Sequence, residues 1–522
     1  MIMMKKQNVT FILVIKSLII VLIASSAELL DSASSSQLDN CSSSKDPLIV
    51  KTSKGCVRGM HINTPSGKVV DAFLGIKYAK PPIGIYRFRH PSPVDAWTGI
   101  YNATSFSNTC VQINDTFFGD FKGSKIWNPS GPKDEDCLSL NIWVPRPRPQ
   151  NAPVFVWIFG GGFYSGSASL DIYNGATFAA EENVIVVSIN YRVASLGFFF
   201  FDREDAPGNA GLFDQLMALQ WVKNNIIAFG GNQENIVLFG ESSGAVSIGF
   251  HLISPLSRNL FNKAILQSGS MTCQWSILDK SEAFGRSLKL AQKVGCPIDL
   301  SHLDATLLCM QNVPASKLVN SENEDYGVVG FPFVAIIDGA FLDEDPVVSL
   351  HTNNFKQTEI LVGSNKDEGT YFLVYHMPRL FNLTERALID YKQFERAVKH
   401  LYPCLANIGY DAILFEYTNW LDSDDYNHNL NAIDKIVGDH YFTCDVNEVA
   451  YRYAFAGNKV WSYYFTHRSS QSPWPSWMGV IHGDEINFVF GDPLDLKKDY
   501  TQSEVNLSKR IMRYWANFAR SG

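Results

Sequence analysis

A serine at the centre of Gly240-Glu241-Ser242-Ser243-Gly244 has the setting that attack on an ester carbonyl requires. The pattern G-x-S-x-G lies between an apolar, strand-like run at residues 235–239 and a helix-like stretch at residues 243–253. So tight a strand-to-helix turn needs glycine on both flanks. It pushes the serine hydroxyl outward at a helix N-terminus, where developing negative charge is favoured. Acyl transfer also needs backbone N–H donors aimed at the tetrahedral oxyanion, each worth about 3–4 kcal/mol. Phe159-Gly160-Gly161-Gly162-Phe163 follows a strand upstream of the serine, where an oxyanion loop belongs, so Gly161 and Gly162 are expected donors and the Ser243 N–H a third. The order for this chemistry is serine, then acid, then histidine. Asp367 and Glu368 follow a strand and are both candidates for the acid. Among the late histidines, His400, His428, His440, His467 and His482, the last sits in the accessible loop Val480-Ile481-His482-Gly483. His440 follows Gly-Asp and His467 follows a strand, so both stay open on pattern alone.

The elements that must position these residues are legible as apolar runs. Residues 153–159, 184–190, 235–239, 263–266, 359–362 and 459–465 read as strands, and residues 214–228 and 243–253 as helices. Continuous apolar strands separated by helices predict an α/β fold with a large mixed, mostly parallel sheet covered by helices on both faces. No repeat or Gly/Ser-rich linker divides the chain after residue 45, so residues 45–522 are expected to form one catalytic domain.

Of 522 residues 46% are hydrophobic, enough for a large packed core, which excludes a disordered protein. The net charge of -8 and the lack of basic runs speak against nucleic acid as a partner. An acidic surface weakly favours a cationic substrate. Lys5 and Lys6 precede an apolar stretch at residues 9–23 that closes on Ala24-Ser25-Ser26-Ala27. Residues 1–27 therefore read as a signal peptide rather than an uncleaved anchor, because Lys16 interrupts the stretch. Export fits the sequons at Asn40, Asn102, Asn114, Asn382 and Asn506 and the nine cysteines, whose odd number leaves one free or intermolecular. Cys110 with Cys137 and Cys296 with Cys309 would each close a short loop. No cysteine pair has zinc-ligand spacing, and neither metal nor cofactor is expected.

Several blocks together resemble the type-B carboxylesterases, and within them the cholinesterases. They are residues 157–165, residues 214–222 with Phe229-Gly230-Gly231-Asn232, residues 239–245, Asn365-Lys366-Asp367-Glu368-Gly369, and Trp477 through Gly483. The likeness runs from about residue 47 to the end of the chain. It implies an α/β-hydrolase fold, with Ser242 as nucleophile, Glu368 as acid and His482 as base. It implies Trp127 in Gly123-Ser124-Lys125-Ile126-Trp127 as the face that holds a quaternary ammonium, where aromatic rings suit a cation that offers no hydrogen bonds. Tyr164, Tyr371, Phe372 and Trp275 match further lining positions, Glu241 adds negative charge, and Asp115 matches the acid at the gorge mouth. Val329 and Phe331 stand where vertebrate acetylcholinesterases narrow the acyl pocket with two phenylalanines, so longer acyl groups should fit. Residues 319–328 hold no tryptophan, so an altered outer site is expected. The resemblance pairs Cys110 with Cys137 and Cys296 with Cys309, and Cys444 with a cysteine beyond Gly522. The C-terminal end is thus expected to be truncated, and a homodimer or membrane tether would need that further segment. The expected function is secreted hydrolysis of choline esters, with a broad carboxylesterase for neutral esters as the alternative. A non-catalytic adhesion protein on the same fold is disfavoured, because serine, glutamate and histidine are all present.

Overall fold

The computed structural model describes residues 45–522, so the signal-peptide segment, Asn40 and Cys41 lie outside the described residues. A nine-stranded sheet organises the chain: β1 Met60–Asn63, β2 Val69–Lys77, β3 Ser139–Pro145, β4 Ala152–Ile158, β5 Ile185–Ile189, β6 Gly231–Glu241, β7 Lys263–Gln267, β8 Ile360–Asn365 and β9 Val460–Phe465. Their spatial order is β9-β8-β7-β6-β4-β5-β3-β2-β1. All pairings from β9 to β5 are parallel. Those from β5 to β1 are antiparallel. Every residue of β3, β5 and β8 is buried, which requires cover on both faces; this makes β5 and the start of β8 read as apolar runs, whereas Ser139 and Asn141 interrupt β3. The mixed, mostly parallel sheet expected from the sequence is therefore present. Its antiparallel edge, β1 to β3, is the part that the apolar-run pattern did not mark.

Five helices bear on the core and the site: α1 Ala210–Asn225, α2 Ser243–Ile253, α3 Lys280–Lys293, α4 Thr370–His376 and α5 Gln502–Ser521. Helix α2 begins and ends where the sequence pattern placed it. Helix α1 starts four residues before the expected Asp214, after Asn209 in a left-handed conformation. Asp214 is buried inside it, held by Arg192 through Nε and Nη2 at 2.7 Å each. Residues 226–228, expected to belong to the helix, lie instead in the 3₁₀ turn Ile226–Phe229. Aromatic rings fill the centre of the core, with Trp157 and Phe239 packed at 4.8 Å and both meeting Phe490. Cys110–Cys137 and Cys296–Cys309 are disulfides, and Cys56 is also disulfide-bonded. Cys273 is buried and free, while Cys404 and Cys444 are exposed and free. Among the described residues no helix is long and apolar enough to cross a membrane, and no cluster of metal-binding side chains occurs.

Candidate active site

Strands β6, β8 and β9 run parallel, so their C-terminal ends open on one edge of the sheet, where parallel folds bind ligands. Ser242 follows β6, Glu368 follows β8 and His482 follows β9. Ser242 has φ 55° and ψ −127°, a strained backbone between β6 and α2. The flanking glycines are a steric necessity. A Cβ on Gly240 would stand 2.5 Å from the carbonyl oxygen of Ile158, and one on Gly244 2.0 Å from the same atom.

His482 Nδ1 lies 2.6 Å from Glu368 Oε2, and both residues are buried. The other carboxylate oxygen of Glu368 accepts from Ser268 Oγ and from the Asn365 N–H, each at 2.6 Å. Asp367, the other acid candidate, turns away from the ring: its Oδ2 accepts the Val480 N–H at 2.8 Å and braces the histidine loop. The remaining histidines point elsewhere. His467 meets Glu504, His428 meets the Tyr417 carbonyl, His440 packs on Tyr441 and His400 on His376. Among the described residues no hydrogen bond joins Ser242 to His482. Nε2 instead stands 3.0 Å from Glu241 Oε1, at an angle that makes no hydrogen bond. Burial alone would push the imidazole pKa down, but the charges of Glu241 and Glu368 hold it above the ordinary histidine range. Burial pushes the Glu241 carboxyl up, against the pull of the His482 charge.

Gly161 and Gly162 have φ 111° and 63°, in the left-handed region that glycine tolerates. The N–H groups of Gly161, Gly162 and Ser243 donate to no protein acceptor among the described residues, leaving three donors beside Ser242. A Cβ on Gly162 would fall 2.1 Å from the Phe331 ring, so this loop packs directly on the candidate acyl side. Phe331 meets Trp275 at 5.6 Å, Trp275 anchors its indole N–H on the Tyr441 carbonyl, and Val329 is buried nearby in sequence.

On the other side, Gly483 lies close to both Trp127 and Glu241 Oε1: a Cβ there would be 3.3 Å from one and 3.7 Å from the other. Trp127, Trp474, Ile481 and His482 border a cavity of about 40 Å³. Tyr371 packs on Trp474 at 5.6 Å and on Phe372 at 5.4 Å, and Phe372 reaches the His482 ring at 5.1 Å. Asp115 sits farther out, its Oδ2 accepting from Tyr375 Oη at 2.5 Å. The disulfide loop 110–137 carries both Asp115 and Trp127, and Asn128 pins Asp115 by two hydrogen bonds to its backbone. Tyr164 is half-buried with its hydroxyl unpartnered. Sequence reasoning missed Tyr375, Trp474 and Phe442, the last only 4.5 Å from the His482 ring. Tyr375 was within reach, because Tyr371 and Tyr375 are four apart on α4 and share a face. Of the sequons described, Asn102, Asn114 and Asn506 are exposed, and Asn382 is half-buried in a turn closed by Thr384 and Glu385.

A hydroxyl on a strained turn, an imidazole clamped by a carboxylate, free N–H donors and an aromatic, acidic flank can together perform acyl transfer from an ester with a cationic leaving group. Residues 46–522 match the family described as the carboxylesterase family. The acetylcholinesterase of Bungarus fasciatus is 46% identical over 480 residues, covering 91% of this chain and 78% of that protein. The acetylcholinesterase of Danio rerio is 44% identical over 521 residues, covering 92% of this chain and 81% of that one.

Proposed function

This chain belongs to the carboxylesterase family and is a carboxylic ester hydrolase, and from that premise we propose that its substrates are choline esters, cleaved by two-step acyl transfer at Ser242. The observation that carries this reading is the acidic and aromatic flank of the site: Glu241, the residue before Ser242, and Trp127 both approach Gly483, and Tyr371 packs on Trp474, which borders the same cavity as Trp127. Two relatives named acetylcholinesterase support it. In the first step His482 Nε2 takes the Ser242 proton as Oγ bonds to the ester carbon, and the oxyanion rests on the N–H groups of Gly161, Gly162 and Ser243. Collapse breaks the bond to the choline oxygen, which leaves with the proton from His482. Water then attacks the acyl-enzyme by the same route, releasing the carboxylic acid and restoring Ser242. Glu368 orients the ring and stabilises its charge throughout. Asp115, Tyr375, Tyr371 and Phe372 line the approach, and Tyr164, Trp275, Phe331 and Val329 the acyl side. The enzyme works in an oxidising, extracellular setting, a reading supported by its disulfides and exposed sequons.

The decisive comparison sets acetylthiocholine against its uncharged carbon isostere. Trp127→Ala is expected to lower kcat/KM for the charged ester about 30-fold, the worth of about 2 kcal/mol of desolvated cation–π contact. The isostere should change little. Equal kcat/KM for both esters in the wild type would sink the choline assignment and favour a broad esterase of neutral substrates.

The pH profile is a second check. His482 must be neutral to accept a proton, so kcat/KM falls as pH drops through its pKa. Because neighbouring carboxylates raise that pKa, the falling limb should lie above the ordinary histidine value of about 6.5. Glu241→Gln removes the largest raising charge and should move the limb to lower pH. A limb that stays in place would show that Glu241 does not act on the imidazole.

A further inference from the structure

The acyl side of the site is carried by a segment without regular structure, residues 322–332, and the strongest grip on it comes from one face of α3. Arg286, Lys289 and Lys293 are three and four residues apart on that helix and so share a face. Arg286 Nη1 donates to the carbonyl oxygens of Phe331, at 2.7 Å, and Pro332, at 3.0 Å. The same guanidinium lies over the Tyr326 ring, 4.2 Å from its centroid. Its Nε and Nη2 donate to Glu282 Oε1, one turn earlier, which aims the planar fork. Lys289 and Lys293 both hold Glu324. From the protein side, Glu322 is buried and accepts from the Ser195 hydroxyl and N–H.

Between these anchors Val329 has φ 53°. A β-branched residue in the left-handed region is strained, and such strain persists only where the surroundings over-determine it. Two residues on, the Phe331 ring presses on Gly162 of the oxyanion loop and on Trp275. The Gly330 N–H closes the turn around Val329 on the Gly327 carbonyl, and among the described residues the side-chain hydrogen bonds to the Phe331 and Pro332 carbonyls that follow it come from Arg286.

We propose that Arg286 is a specificity-positioning residue: by clamping the carbonyls of Phe331 and Pro332 it keeps Val329 in its strained conformation and limits the length of acyl group the site admits. This rests on the esterase reading of Ser242. Arg286 never touches the ester; it acts through the loop. Without the clamp Val329 relaxes towards extended backbone, Phe331 withdraws from Gly162, and longer acyl chains enter.

The test measures kcat/KM for acetyl-, propionyl- and butyrylthiocholine, together with inhibition by tetramethylammonium, which needs only the cation site. Arg286→Met should raise the butyryl-to-acetyl ratio about tenfold, the discrimination that one or two methylenes carry in an apolar pocket, with tetramethylammonium inhibition unchanged. Arg286→Lys keeps a cation but loses the fork, and its ratio should fall between those of wild type and Arg286→Met. If Arg286→Met fails to fold, Glu282→Gln at a half-exposed position reads the same effect, with an expected rise of about two- to threefold. A merely structural arginine would lower all three esters together at constant ratio, and that result, or an unmoved ratio in every folded variant, overturns the proposal. Failure of the esterase reading itself would appear first and separately, as no turnover of any thiocholine ester by the wild type.

Discussion

Replacing Ser242 with alanine is expected to lower kcat for acetylthiocholine about a millionfold, the loss seen when a serine hydrolase is stripped of its nucleophile. The substitution is chemically narrow. Alanine keeps the Cβ, so it inherits the φ of 55° that the turn imposes and the same close approach of Gly160. The glycines that make the turn possible are untouched, and the N–H groups of Gly161, Gly162 and Ser243 keep no protein acceptor among the described residues. Thermal unfolding should therefore change little and KM should stay near its wild-type value, since the aromatic flank still binds the substrate. The residual rate would come from the oxyanion donors acting on a water-attacked ester. A reactive organophosphate gives an independent reading by mass spectrometry: one phosphoryl adduct on the wild type and none on the variant. Wild-type turnover in the alanine variant would place the nucleophile elsewhere and remove the basis for every role assigned around it.

The strained turn that carries this candidate nucleophile was legible because its signal is local. Gly240 and Gly244 are required by one atom, the Ile158 carbonyl oxygen, and the strand and helix on either side were both readable as apolar runs. The proposed acid and base were not readable in that way. Glu368 and His482 lie more than a hundred residues apart and meet because β8 and β9 are parallel neighbours, a fact of topology that spacing does not contain. Pattern alone therefore left Asp367 open beside Glu368, and His440 and His467 open beside His482, and only family resemblance chose between them. The structure adds a physical reason for two adjacent acids: Glu368 faces the ring while Asp367 holds the Val480 N–H behind it. The same contrast runs through the fold. Strands of the parallel half announced themselves as apolar or aromatic runs, β5 and β8 because they are buried throughout and the edge strand β9 through its aromatic residues although it is largely half-buried or exposed. Strand β2 did not, because Asp71 and a bulge at Gly75, with φ 71°, interrupt its apolar run. The early start of α1 was hidden by Asp214, whose buried pairing with Arg192 makes an acid part of the interior. Phe442, against the catalytic-type imidazole, sits in a π-helical turn with no periodic signal at all.

Glu368→Gln should be damaging too, though about a hundredfold less than the loss of the serine, with kcat reduced about ten-thousandfold at neutral pH, the scale such acid-to-amide exchanges reach in serine hydrolases. The reason lies in the two sides of the carboxylate. Oε2 accepts the hydrogen bond of the His482 Nδ1–H at 2.6 Å, and Oε1 accepts those of the Asn365 backbone N–H and the Ser268 hydroxyl. Glutamine has one acceptor oxygen and one donor nitrogen to divide between them. The Asn365 N–H is fixed in the backbone and can only donate, so the amide oxygen must face it or leave it buried and unpaired. The amide nitrogen then faces His482 and can only donate to Nδ1. That forces the ring proton onto Nε2, the nitrogen that has to accept the proton of Ser242. The variant thus folds, binds substrate and holds the imidazole in the wrong tautomer. Because a negative charge is also lost, the His482 pKa should fall and the acid limb of any residual activity should move to lower pH, the direction opposite to that of simple damage to a base. Glu368→Asp supplies the counterpart: it keeps the charge and both acceptors but is one methylene short, so it should recover part of the rate while misplacing the ring. Retention of kcat within tenfold in Glu368→Gln, measured with acetylthiocholine across the pH range, would mean that Nδ1 is held by some other group and that Glu368 is only a brace.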